Sequence, residues 1–171
     1  MKRPESEEFP EYYKSYIDLV ENANIIKEMN NQVMDIQALI SEIPEDKENY
    51  AYAEGKWTIK EILGHIIDSE RIFAYRAMRF ARRDKTALPG YDENMFAANA
   101  NFNKQSLYSL AHEFAIVREA NLTLFKTFDK ETFDLIGNAN GKDVSVRAIL
   151  YMIVGHATHH MNVIKTRYLL D

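Results

Sequence analysis

Apolar residues recur at three- and four-residue intervals in four long stretches of the chain, a spacing that predicts helices rather than strands. The first covers residues 24–43, with Ile26, Met29, Val33, Ile36, Ile40 and Ile43 on one face, and Pro44 stops it. The second runs over residues 58–83. Thr58 and Glu61 open it with the spacing of a capping box, and Ile59, Ile62, Leu63, Ile66, Phe73, Ala77 and Phe80 trace its apolar side. The third spans residues 104–128 on Leu107, Leu110, Ala111, Phe114, Val117, Leu124, Phe125 and Phe128. The fourth spans residues 146–169, with Ser145 as N-cap and Val146, Ile149, Leu150, Ile153, Ala157, Met161 and Ile164 facing inward. Two shorter helices are expected, over residues 11–20 and, capped by Asp92, over residues 94–99.

This order of elements predicts an all-α fold: a four-helix bundle with one long crossover and an additional short helix in a crossover loop. Residues 1–171 are expected to form a single domain, with 1–10 a loose N-terminal lead. The chain has only 6 glycines and 4 prolines, and most fall between the periodic stretches. Leu88-Pro89-Gly90 and Asn138-Ala-Asn-Gly141 read as turns. The connections over 84–103 and 129–145 are long for a minimal bundle, and long loops are where a site rim or a dimer contact sits.

Composition adds mainly exclusions. At 46% hydrophobic residues the chain can fill a core, and no apolar run approaches the roughly 18–20 residues that span a bilayer. The polar, acidic start has no apolar region of a secretory signal, so a cytoplasmic protein without membrane partners is expected. The net charge of −5 speaks against nucleic acid as a partner. With no cysteine in the chain, disulfides, thiolate ligands and a cysteine nucleophile are excluded, and any thiol chemistry must use a thiol that arrives as co-substrate. One basic cluster stands out: Arg76, Arg79, Arg82, Arg83 and Lys85. It reads either as a solvated helix end complementing the C-terminal dipole or as a contact for phosphate or substrate.

Among five histidines, His156 and His160 are spaced i and i+4, so they share a helix flank and can converge on one ion. At about 100° per residue they lie roughly 100° and 60° from the centre of the apolar stripe. His159 lies roughly 160° away and is expected to face solvent or the far side. His65 occupies the edge of the second helix's stripe, from which it can look into a groove, and His112 lies on an exposed face. Such a pair also arises by chance on surfaces, so spacing alone leaves a metal site and a set of ordinary histidines both open. Glu70, on the apolar face of the second helix, and Arg118 and Asn121, on that of the third, are polar where the pattern asks for apolar residues. They read as a structural ion-pair network, with Glu70 paired to Arg118, or as a polar cavity wall in which Glu70 is a catalytic candidate. Tyr52, Tyr91 and Asp92 are weaker candidates for a general base.

Trp57-Thr-Ile-Lys-Glu-Ile-Leu-Gly-His65, then Asp68-Ser-Glu70-Arg71, and finally Gly155-His156-Ala-Thr-His159-His160 together resemble the DinB/YfiT-like superfamily of metalloenzymes. The resemblance covers roughly residues 25–169. It implies a bundle with a distinctive crossing order, frequent homodimers, and one divalent metal ion on His65, His156 and His160. Zinc, nickel, iron and manganese are not distinguished by these residues. It further implies a metal-dependent enzyme acting on a small molecule, first a transferase that activates a low-molecular-weight thiol for attack on an electrophile. The alternatives are a metal-dependent hydrolase using activated water and a non-enzymatic, stress-response metal-binding module. Tyr12, Tyr13 and Tyr16 on the first short helix either serve a dimer or pack on the bundle.

Overall fold

The computed structural model describes residues 1–21 and 24–169; residues 22–23 and 170–171, part of the expected domain, lie outside the described residues. Its helices are α1 (Lys14–Asp18), α2 (Ile25–Ser41), α3 (Ile59–Ala81), α4 (Glu93–Asn99), α5 (Leu107–Phe125) and α6 (Val146–Val163). A wider π-type turn over Ile164–Leu169 prolongs α6.

The starts of these helices follow from capping chemistry. Asn24 accepts from the Lys27 amide, Asp92 from Met95 and Ser145 from Ala148. Thr58 and Glu61 make both halves of the capping box that opens α3. The third long helix begins at Leu107, three residues later than its periodicity suggests. Ser106 takes the cap by accepting from the Ser109 amide, and Phe102–Lys104 forms a separate tight turn.

α2, α3, α5 and α6 form the bundle. α3 packs on α5 and α6, and α2 packs on the same two, so the order around the bundle is α2, α5, α3, α6. Sequence neighbours α2 and α3 therefore stand diagonally, as do α5 and α6. The expected single crossover is in fact two diagonal connections, and each needs a long segment to cross the end of the bundle.

The second of those connections holds the one strand pair among the described residues, β1 (Ile136–Ala139) and β2 (Lys142–Ser145), antiparallel with Ile136 opposite Ser145. At its tip Asn140 and Gly141 both have positive φ, 54° and 71°, which an Asn-Gly hairpin turn requires. Leu88 from the α3–α4 loop bonds to this tip through Asn138 and Asn140.

The core falls into two clusters. One joins α1, the start of α2, the ends of α3 and α5 and the first half of α6; the other joins the rest of α2 and α3 to the start of α5 and the end of α6. Between them lies a buried polar network. Arg118 on α5 makes a two-pronged bond to Glu70 on α3, 2.7 and 2.8 Å, and donates to the Met29 carbonyl and Gln32 Oε1 on α2. Gln32 in turn donates to the Val154 carbonyl and Thr158 Oγ1 on α6. Asn121 adds a third bond to Glu70. All four bundle helices are thus joined by one chain of satisfied hydrogen bonds, which fixes their relative register.

The N-terminal ten residues make contacts with the rest of the chain. Arg3 donates to the carbonyls of Ile17 and Val20, Phe9 is buried, and Glu8 accepts from Ser145 and Arg147 at the start of α6. Partial burial pushes the Glu8 carboxyl up, but those partners more than offset it and hold its pKa below the ordinary value. Among the described residues, no helix is long and apolar enough to cross a membrane.

Candidate metal centre

His65 sits in the second turn of α3, and His156 and His160 lie one turn apart near the end of α6. Because α3 packs directly on α6, the flank of one helix looks into the flank of the other. His65 Nε2 stands 2.9 Å from His156 Nε2, and His160 Nε2 stands 3.1 Å from His156 Nε2. A ring nitrogen from each of the three lies within 4.8 Å of the others. A neutral imidazole nitrogen carries either one proton or one in-plane lone pair, so His156 Nε2 cannot make good hydrogen bonds to both neighbours at once. Ligand nitrogens about 2.0–2.1 Å from a shared ion stand about 2.9–3.4 Å apart, and the 2.9 and 3.1 Å spacings to His156 fall in that range. The donor set fits a divalent cation such as zinc.

The surroundings keep the rings neutral, as ligands must be. His65 is buried, and desolvation lowers its pKa to about 4. Burial first, then the neighbouring histidines, lower His160 to about 3 and His156 well below its usual range. Trp57 lies 4.6 Å from the His65 ring, while Tyr16 and Phe73 meet the His156 ring edge-on at 5.4 and 5.9 Å. Ser69 Oγ stands 3.5 Å from His65 Nδ1 and 2.7 Å from the Tyr91 hydroxyl, so a hydroxyl pair lies behind that ring.

The three histidines line a cleft of about 370 Å³, within the size range of small-molecule sites. Its aromatic walls include Tyr12, Tyr13 and Tyr16 from the N-terminal segment and Tyr91 from the α3–α4 loop, and the hairpin tip contributes Asn140. Tyr12 stays exposed, whereas Tyr13 and Tyr16 thus pack on the bundle. Their approach depends on Gly155 beside His156, where an added Cβ would fall 2.0 Å from the Tyr16 carbonyl oxygen. Arg76 and Glu93 are the charged groups of the lining.

Apart from Tyr91 and Arg76, which line the cleft, the other sequence candidates fall elsewhere. Glu70 is 2% exposed, does not line the cleft, and has both oxygens engaged by Arg118 and Asn121. Asp92 caps α4, and His112 is exposed beside Tyr108. His159 is half-buried rather than solvent-facing, because Tyr16 of the N-terminal segment covers it at 5.2 Å. Arg76 leaves the basic cluster and turns inward, which its place on the stripe's flank, eleven residues or about three turns after His65, could have signalled.

Residues 30–164 match a family model described as the DinB superfamily. The fold is similar to that of YfiT from Bacillus subtilis, described as a probable metal-dependent hydrolase with an unusual four-helix bundle topology. That likeness has a TM-score of 0.74 at 15% identity and covers 96% of this chain and 90% of that one. It is also similar to a mycothiol-dependent maleylpyruvate isomerase, with a TM-score of 0.64 at 14% identity, covering 87% of this chain but 62% of the isomerase. At these identities the likenesses establish the fold alone. No curated protein matches the chain in sequence.

Proposed function

The chain belongs to the DinB superfamily, and from that premise we propose that it is a divalent-metal-dependent enzyme that transfers a low-molecular-weight thiol to an electrophilic small molecule, with His65, His156 and His160 as the metal ligands. The observation that carries this is the convergence of three neutral ring nitrogens on one point at the wall of an aromatic cleft. A closed structural site would ordinarily supply four protein ligands, so three leave room for an exogenous one. When bound, a divalent cation there supplies Lewis acidity that makes a thiolate or hydroxide available at neutral pH.

The residues themselves favour the thiol. Among the described residues the lining holds one carboxylate, Glu93, which is exposed on α4, and Glu70 is committed to Arg118. Water is a far weaker acid than a thiol near 8.5, so the thiol needs less help from the cation to lose its proton. The chain has no cysteine of its own, so the thiol comes from solution. Trp57, Tyr16 and Phe73 exclude water from the rings and keep them unprotonated. The Glu70–Arg118–Gln32 chain holds α3 and α6 in the register that brings the rings together, which makes Glu70 a positioning residue in this reading.

Hydrolysis is the second reading, favoured by the likeness over nearly the whole chain to a protein described as a probable metal-dependent hydrolase. One experiment separates the two. Zinc-loaded protein is incubated with a panel of electrophiles, with and without several low-molecular-weight thiols. Thiol-dependent adduct formation is expected; equal turnover without thiol would reject the transferase and favour the hydrolase.

A further inference from the structure

Arg76 is 5% exposed, yet among the described residues it forms no salt bridge and has one hydrogen bond, from Nη2 to the Pro89 carbonyl at 2.8 Å. A guanidinium offers five N–H donors. Among the described residues no fully buried side-chain nitrogen or oxygen lacks a hydrogen-bond partner, so the unused donors are those that still meet open space, and the space that Arg76 lines is the cleft. The other arginines near the end of α3 differ. Arg79 bonds to Asp84 and Tyr75, and Arg82 and Arg83 are exposed. Glu93, the carboxylate of the same lining, is exposed and does not reach Arg76 within salt-bridge distance.

Eleven residues place Arg76 about three turns beyond His65 on the same face of α3, with the two backbones roughly 16 Å apart. A buried cation without a counter-charge is costly, and the cost is relieved when an anion enters the cleft. We propose that Arg76 is the substrate-recognition residue of the cleft, binding the carboxylate of a small organic acid whose apolar body lies along the aromatic wall towards the histidines. The planar fork of the guanidinium matches a carboxylate with two parallel bonds. The proposal rests on the reading of this cleft as the substrate site, but not on the metal or on the thiol.

Trp57, the only tryptophan of the chain, lines the same cleft and reports its occupancy by fluorescence. The full chain is titrated with hexanoate and with hexanamide, as purified and again after dialysis against a chelator, at pH 8, where histidines of ordinary pKa are neutral. Hexanoate is expected to shift the emission saturably in both preparations, with hexanamide at least about tenfold weaker, the ratio expected from charged hydrogen bonds. Arg76→Met should erase the difference between the two probes, and Arg76→Lys should keep part of it. Equal titration by acid and amide would overturn the proposal, as would absence of any shift. So would hexanoate binding that disappears with the metal, because the cation rather than Arg76 would then hold the carboxylate. The comparison in the unsubstituted chain decides the matter even if Arg76→Met does not fold. Failure here with thiol transfer intact removes only the assignment of Arg76, whereas success without turnover removes only the chemistry.

Discussion

His65 Nε2 and His156 Nε2 approach to 2.9 Å across the contact between two helices, although 91 residues of chain separate them. Neither helix carries a complete donor set, and α3 needs α6 to make one.

Metal binding should therefore depend on all three rings and on the packed bundle. Protein purified without a histidine tag is expected to hold one zinc per chain by equilibrium dialysis and metal analysis. His65→Ala, His156→Ala and His160→Ala should each weaken binding by at least about a hundredfold, beyond the effect typical of residues that only orient ligands. Zinc should also raise the melting temperature, because it binds the folded chain preferentially. Alanine variants that retain zinc at full affinity would remove the assignment.

The same rings should make the metal-free chain sensitive to mild acid. Burial lowers His65 to about 4 and His160 to about 3, against 6.5 in the unfolded chain. Between those values the unfolded state binds protons that the folded state does not, so stability is present above pH 6.5 and is lost as pH falls from there. Each histidine contributes a slope of up to about 1.4 kcal/mol per pH unit. Urea midpoints of chelated protein should fall from pH 7.5 to pH 5, and a His65→Gln/His160→Gln variant should show a smaller fall. Glu8 acts in the same sense but lower, below its ordinary 4.5, so this window isolates the histidines. Identical pH profiles for the two proteins would contradict the burial argument.

Arg118 is fully buried and Glu70 nearly so. Arg118→Met strands the Glu70 carboxylate and should cost about 3–5 kcal/mol in urea unfolding. Glu70→Met/Arg118→Met removes both charges and should recover much of that loss, while binding zinc more weakly than the unsubstituted chain because the register of α3 and α6 is less well held. Should the double variant fold and bind zinc normally yet lose all turnover, Glu70 belongs to the chemistry after all.

Gly155→Ala tests how closely the N-terminal segment must approach. The new methyl would overlap the Tyr16 carbonyl, a backbone atom that can yield only by moving α1. A loss of about 1–3 kcal/mol is expected, as for other overpacked sites, together with faster proteolysis ahead of residue 21. Unchanged stability and cleavage would show that α1 is not held there.

The long helices were legible because their caps and periodicity agree: Thr58 with Glu61, Asn24 and Ser145 are strong local signals. Glu70 and Arg118 were legible as a pair because both interrupt apolar stripes. The order of helices around the bundle was not, since α2 offers α3 and α5 the same apolar face and only long-range packing chooses between them. The hairpin escaped although Asn140-Gly141 carries its signature, because its four-residue strands have too little periodicity to register. His159 was misjudged because its own helix leaves it outside, and its cover comes from Tyr16 on a segment the helical pattern treats as separate. Arg76 was hidden among neighbours of like charge.

The family match begins at residue 30, whereas Tyr12, Tyr13 and Tyr16 come before it. Part of the cleft's wall is therefore supplied from outside the family match, while Arg76 and the three histidines lie within it. Exchanging that stretch for another of similar length would reshape the cleft's mouth and, through Tyr16, the cover over His156 as well.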